Sequence, residues 1–483
     1  MTELFRYSAT ELARLIRDKV VSPVEVIKSH LVRIEQVNPL LNAVTDLQAD
    51  RALKQARRAE QKIMAKGSGS IGRLQGVPLT IKSSIEVEGF RCECGTKIRK
   101  GVVAQRDATV VSSLKNAGAI ILGTTNVPEF LMAYESDNHL YGRTNNPWNL
   151  DYTAGGSSGG EAAAIASGCS AGGYGSDGGG SIRIPAHFTG ICGLKPTPGV
   201  IPRTGHWPAC LGPSAFLGLI GPMARTVEDV RLLLEVATGV EYHDPSATPV
   251  EMCAPSEKEL RTVKIGWFSD DGIHPVTPET SLAVENVAKV LGGQGFTIER
   301  IKLTGIEQAP KLWWILFGVV AATALKPITA GREDELHPLS QSLIATEEET
   351  KQMSYESFLD AWVNRDRVRA NLLGQMEEYR VLICPAASIP AFKHGERSWN
   401  ISGKQVHYPE PFVYSQIFNL LGNPCAVVPA GHSPEGLPIG VQIVGRPFED
   451  EMTLSVASII EQALGKGAIP SEELLTNGSG SDC

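Results

Sequence analysis

Three residues of this 483-residue chain have the types and surroundings that nucleophilic chemistry needs. Ser181 closes the run "SDGGGS", and Ser157 lies 24 positions earlier, within "TAGGSSGGEAAAIASG". From Gly155 to Gly180, 11 of 26 residues are glycine. Such a density lets backbone approach a ligand closely and lets amide N–H groups converge as an anion nest. Read this way, Gly178, Gly179, Gly180 and Ser181 supply N–H donors to an oxyanion, with the Ser181 hydroxyl at the same spot. A tight structural turn is the competing reading, but it calls for neither three glycines nor a nucleophile. A serine nucleophile needs a base, and the best non-histidine candidate is Lys82 in "PLTIKSSIEV". A lysine inside an apolar strand must pair or lose its proton, and the neutral amine then abstracts one. Taken alone, Lys82 reads as readily as an edge or snorkelling lysine. Two serines in glycine nests tip the balance towards the base.

Other short patterns carry less. Gly155 to Gly159 and Gly156 to Gly160 both satisfy G-x-S-x-G, the nucleophile elbow, which needs a hydrophobic strand before it and a His–acid pair behind it. The preceding "NPWNLDYTA" reads as polar and aromatic rather than as a strand, and His187 reads as a packed residue. "GSGSIG" (67–72) and "GYGSDG" (173–178) fit a dinucleotide-binding spacing but lack its strand-then-helix context. Ser112 and Lys115 form an S-x-x-K on a helix face, without a companion motif. Of the nine cysteines only Cys92 and Cys94 lie close together, so reduced and mostly buried thiols are expected and no metal site.

The elements that must hold these residues follow from pattern. Ser8–Glu11 and Ser22–Glu25 are capping boxes opening N-terminal helices, the second with Pro23 at the first helical position. A polar helix is expected from about Leu47 to Ala65. "GVPLTIKSSIEV" and "AIILGTTN" read as buried strands around a helix closed by Gly118, which implies a sheet covered on both faces. Residues 241–400 are less regular, apart from a Trp313–Trp314 pair and an amphipathic helix near Tyr355 to Leu373. Strand patterns return in "PCAVVPAG" and "PIGVQIVG", and a helix ends near Leu464. Charged residues make up 20% with a net charge of −8 and no long charge runs, which argues against a nucleic-acid surface. The apolar run Leu312 to Leu325 falls short of a clean membrane span, and no signal peptide is read at the start. A cytoplasmic protein is expected.

With these residues in view the sequence resembles the amidase signature family. "GGSSGGEAAAIASG", "GSDGGGSIRIPA" and "GICGLKPTPG" follow the signature block, and "PEGLPIGVQIVGRPFED" matches the family's closing segment. Lys82 lies 75 residues before Ser157, as the family pattern demands. The resemblance implies a Ser–cis-Ser–Lys triad with Ser181 as nucleophile, Ser157 as proton relay preceded by a cis peptide, and Lys82 as base. It implies that Ser158, Asp177 and Arg183 support the site, and that no metal or organic cofactor is used. The fold it implies is one large α/β domain (1–470), a twisted mixed sheet with helices on both faces. Within it fall N-terminal helices (1–75), the signature core (76–240), a variable substrate-side region (241–400), a C-terminal return (401–470) and a disordered tail (471–483).

Within the family the texture is similar to that of the fatty acid amide hydrolases of the second type, carried by "TNVPEFLMAYESDNHLYGRTNNPWNL". No segment matching their membrane-anchoring helix is read, so a soluble microbial relative is expected, acting as a monomer or homodimer on a small-molecule amide or carbamate. Leu131, Met132, Tyr134, Trp207 and Phe216, with Leu211, are the candidate apolar pocket residues, and core packing is an equal alternative for each. The other function weighed is the glutaminase component of a tRNA-dependent amidotransferase. The position expected to carry that component's acidic residue is about Phe412 here.

Overall fold

The computed structural model describes residues 3–66, 71–239, 241–345 and 353–471. Its spine is an 11-stranded sheet. From one edge to the other the strands run Val44–Leu47, Ile120–Thr125, Pro78–Lys82, Gly172–Asp177, Leu219–Ala224, Cys192–Lys195, Cys425–His432, Pro438–Val444, Val381–Pro385, Lys264–Trp267 and Thr297–Arg300. Pro78–Lys82 runs parallel to both its neighbours, whereas Gly172–Asp177 is antiparallel to Leu219–Ala224, so the sheet is mixed. Every residue of Pro78–Lys82, Gly172–Asp177 and Pro438–Val444 is buried, because helices cover both faces. The α/β expectation of a mixed sheet between helical layers is met.

Local signals in the sequence explain the frame. Ser8 and Ser22 accept from the amides of Glu11 and Glu25, whose carboxylates return the bond, and helices Ala9–Arg17 and Pro23–Leu41 follow. The helix Thr109–Asn116 ends at Gly118, whose φ of +93° suits glycine. Three expectations need correction. Leu47 belongs to the edge strand Val44–Leu47, pairing with Gly123, and the polar helix starts at Ala49. The segment before the first glycine nest does contain a strand, Asn149–Thr153. It pairs in a separate two-stranded ribbon with Asn145–Asn146, so it makes no elbow with the main sheet. Residues 241–400 are more than a variable substrate-side region: Lys264–Trp267, Thr297–Arg300 and Val381–Pro385 extend the same sheet to its far edge.

The apolar run of that region is also longer as a helix than its letters suggest. Ala309–Thr329 is continuous over 21 residues, by length and composition enough to cross a membrane, with 44% of its most apolar stretch buried. Its middle, Trp314–Val319, is a π-helical turn, a form found often at functional sites. The eight described cysteines are free, and all but Cys210 and Cys253 are buried. The expected disordered tail lies almost wholly outside the described residues, as do four of the six positions of "GSGSIG".

Candidate active site

Lys82 is the last residue of a fully buried strand, and its side chain is 0% exposed. Its Nζ donates to Ser157 Oγ at 2.7 Å, Ser158 Oγ at 2.8 Å, Ser176 Oγ at 3.0 Å and the Ser176 carbonyl at 3.2 Å. Every partner is neutral. Burial therefore dominates and pushes the amine down to about 7, against the upward pull of Cys94, Asp177 and Glu161. Behind it, the buried Glu161 carboxylate accepts from Thr80 Oγ1 at 2.6 Å and Thr125 Oγ1 at 2.8 Å. Burial raises that carboxyl to about 8, although both threonines and Lys82 pull it down.

The two glycine nests meet at this lysine. The Gly156–Ser157 peptide is cis, and a Cβ on Gly156 would lie 2.5 Å from the Ala133 carbonyl oxygen and the Glu135 amide nitrogen, so only glycine fits there. The Ser158 amide donates to the Ser181 carbonyl at 3.1 Å, joining one nest to the other. Ser181 begins the turn into helix Arg183–Thr189. Asp177 braces that turn: it accepts from the Gly180 amide at 2.7 Å, the Ile182 amide at 3.1 Å, and Arg183 Nε and Nη2 at 3.0 Å. Burial would raise the Asp177 carboxyl, but the Arg183 guanidinium and these amides hold it well below the usual carboxylate range. Arg183 reaches on to the Ser415 carbonyl at 2.9 Å and Gln442 Oε1 at 2.6 Å, and it also meets Asn419 Oδ1.

One of the four expected nest donors is already engaged. Because the Gly180 N–H is held by Asp177, it is not free for an oxyanion, and Gly180 is absent from the cavity wall. Its φ of +120° gives it a conformational role instead. The amides of Gly179 and Ser181 make no hydrogen bond among the described residues, and both residues line the cavity. Gly178 lines it as well.

The cavity has a volume of about 570 Å³ and reaches from Ser157 and Ser181 outwards between aromatic walls. Leu131, Met132, Tyr134 and Trp207 line it, as expected. Phe216 and Leu211 do not. The short helix Ser214–Leu217 turns Ser214 towards the cavity and Phe216 away, under the Arg365 guanidinium at 4.0 Å; Leu211 is 62% exposed. His187 is a packed residue: its Nδ1 accepts from the Gly440 amide at 2.7 Å, and its Nε2 lies 3.0 Å from the Ile389 carbonyl. Phe412, the position weighed for an acidic glutamine ligand, is buried and stacks on Tyr134 at 4.1 Å between centroids.

Two groups of site residues escape a reading of the sequence. Ser176, which meets Lys82 twice, sits in plain view in "GSDGGGS", where strand alternation from Tyr174 is the signal that marks it. The second group is Trp313, Trp314, Phe317, Ala321 and Leu325 of the long helix, which form a whole wall. Their helical spacing was visible, but not the target of the face.

A family model described as "Amidase" matches residues 25–454. The chain belongs to the amidase family. Human fatty-acid amide hydrolase 2 is 31% identical to this family member, covering 97% of the chain and 91% of the relative. A glutamyl-tRNA(Gln) amidotransferase component from Carboxydothermus hydrogenoformans is 33% identical, over 95% of this chain and 98% of its own length. The solved structure of a bacterial aryl acylamidase of the amidase signature family superposes with a TM-score of 0.85 at 27% identity, covering 99% of both chains. An amide C–N hydrolase of the amidase signature family is therefore what the fold and the relatives establish.

Proposed function

We propose that this amidase cleaves neutral amides bearing an apolar or aryl group through Ser181, Ser157 and Lys82, by way of an acyl-enzyme. The observation that carries the reading is a fully buried lysine amine 2.7 Å from the Ser157 hydroxyl, beside an apolar cavity that Ser157 and Ser181 both line. Neutral Lys82 accepts the Ser157 proton as Ser157 takes the proton of Ser181, and Ser181 Oγ bonds to the substrate carbonyl carbon. The carbonyl π electrons move to oxygen, where the Gly179 and Ser181 amides stabilise the negative charge. As the C–N bond breaks, Ser157 passes a proton to the departing nitrogen and recovers one from Lys82. Water then repeats the sequence on the acyl-enzyme. The scheme calls for no metal or organic cofactor.

Substrate preference follows from the wall. Among the described lining residues the one carboxylate is Asp177, and its oxygens are occupied by Arg183 and backbone amides. A free α-amino group such as that of glutamine has no counter-charge among those described residues, which disfavours the glutaminase reading even though the amidotransferase component is a close relative. Fatty-acid and aryl amides, the substrates that the names of the other two relatives state, suit a cavity of this size and polarity. Carbamates and esters present the same carbonyl and are further candidates.

A hydrolysis panel of anilides, fatty amides, carbamates and free glutamine tests the reading. Turnover of anilides or fatty amides by the chain alone is expected. Turnover of glutamine alone overturns the substrate assignment.

A further inference from the structure

A residue from outside the signature hydrogen-bonds the glycine nest. A trans peptide carries its carbonyl and its N–H on opposite sides, so anchoring one directs the other. The Gly180 carbonyl accepts from the Ile184 amide at 2.7 Å, which turns the Ser181 N–H away from the helix that Ile184 belongs to. The next peptide back is held at both ends: Tyr134 Oη donates to the Gly179 carbonyl at 3.1 Å, and the Gly180 N–H goes to Asp177. The peptide before that has one anchor alone among the described residues. Trp313 Nε1 donates to the Gly178 carbonyl at 2.8 Å, and the Gly179 N–H on the opposite side is free.

The fit around Trp313 is close. A Cβ on Gly179 would lie 2.4 Å from Trp313 Cζ2, and one on Gly178 would lie 2.2 Å from Phe317 Cζ. The two rings stack at 5.3 Å, where the chain passes into the π-helical turn Trp314–Val319. Both rings also line the cavity.

We infer that Trp313 is a positioning residue whose indole N–H fixes the Gly178–Gly179 peptide so that the Gly179 amide faces the developing oxyanion. The inference rests on the proposal that Ser181 is the nucleophile. An aromatic wall residue of the long helix thus takes part in transition-state stabilisation through another residue's backbone, without touching the reacting atoms.

Trp313→Phe removes the N–H and keeps a ring. With a chromogenic anilide, kcat is expected to fall about 10- to 100-fold while KM stays within about twofold, since loss of one whole oxyanion donor costs about 10²- to 10³-fold. Affinity for a trifluoromethyl ketone, which forms an oxyanion on Ser181, should fall by the same factor, with affinity for the corresponding neutral alcohol unchanged. Phe317→Leu, which removes wall but no donor, should move KM instead. Trp313→Leu replaces the phenylalanine variant if that one does not fold, with the same expected loss in kcat. An unchanged kcat, or a loss confined to KM, overturns the inference. Fluorophosphonate labelling of Ser181→Ala separates the two failures: persistent labelling refutes Ser181 as nucleophile, while absent labelling with a wild-type kcat in Trp313→Phe refutes the role of Trp313 alone.

Discussion

Raising the pH through neutrality titrates Lys82, and the structure sets the size of the response. Complete burial brings the amine from an ordinary 10.5 to about 7, and none of its four contacts supplies a counter-charge. That corresponds to destabilising the charged form by about 5 kcal/mol relative to an amine in water, and leaves the two forms equally populated near pH 7. In the proposed mechanism the neutral amine is the base, so activity is expected to follow the deprotonated fraction: about 9% one pH unit below the midpoint and about 91% one unit above it. Acylation should therefore speed up about tenfold between pH 6 and pH 8 and level off by about pH 9. Few other groups near the lysine interfere in that window. Burial holds His206 at about 4 and lifts Cys210 to about 11, and Arg183 keeps Asp177 ionised throughout. Glu161, raised to about 8, and Lys195, lowered by burial to about 8, are the exceptions, and Glu161→Gln is the control that removes the one acting directly on Lys82. The assay is kcat/KM for a chromogenic anilide over that range, with the rate of fluorophosphonate inactivation in parallel because it follows acylation alone. A flat or falling profile refutes Lys82 as the base. A unit slope that continues to about pH 10 refutes its desolvation.

Asp177→Asn leaves the fully buried Arg183 guanidinium without its carboxylate, and urea denaturation should show a loss of about 3–5 kcal/mol; a loss below about 1 kcal/mol would contradict the brace. Gly178→Ala drives a methyl group to 2.2 Å from the Phe317 ring, so kcat should drop sharply. Adding Phe317→Ala should recover part of it, and strict additivity of the two changes would count against the contact. Trp207→Leu should raise KM for bulky amides while Phe216→Leu leaves it unchanged, because only the first ring faces the cavity; equal effects on KM would contradict that division.

Much of the site was legible because its chemistry is local. The glycine clusters, the paired serines and a lysine in an apolar strand are each readable within about ten residues, and each has a backbone or solvation reason. The capping boxes at Ser8 and Ser22 were readable for the same cause, since their bonds span three residues. Phe216 shows the limit. An aromatic residue beside the signature fits a pocket and a core equally well, and only the direction of a four-residue helix put it beneath Arg365. The Gly180 amide shows another: spacing offers four donors in a row, but a carboxylate three residues back claims one of them.

What the sequence by itself determined was the chemistry available: two serines in glycine-rich backbone that permits a cis bond and an anion nest, and a lysine in an apolar strand that must pair or lose its proton. Tertiary structure alone decided what surrounds it. The Trp313 indole meets the Gly178 carbonyl across 135 residues, and the strands Lys264–Trp267 and Val381–Pro385 join the sheet that begins at Val44. Such contacts depend on register and on helix rotation summed over the whole fold. The periodicity of one segment shows that it has an apolar face, whereas packing determines what that face covers.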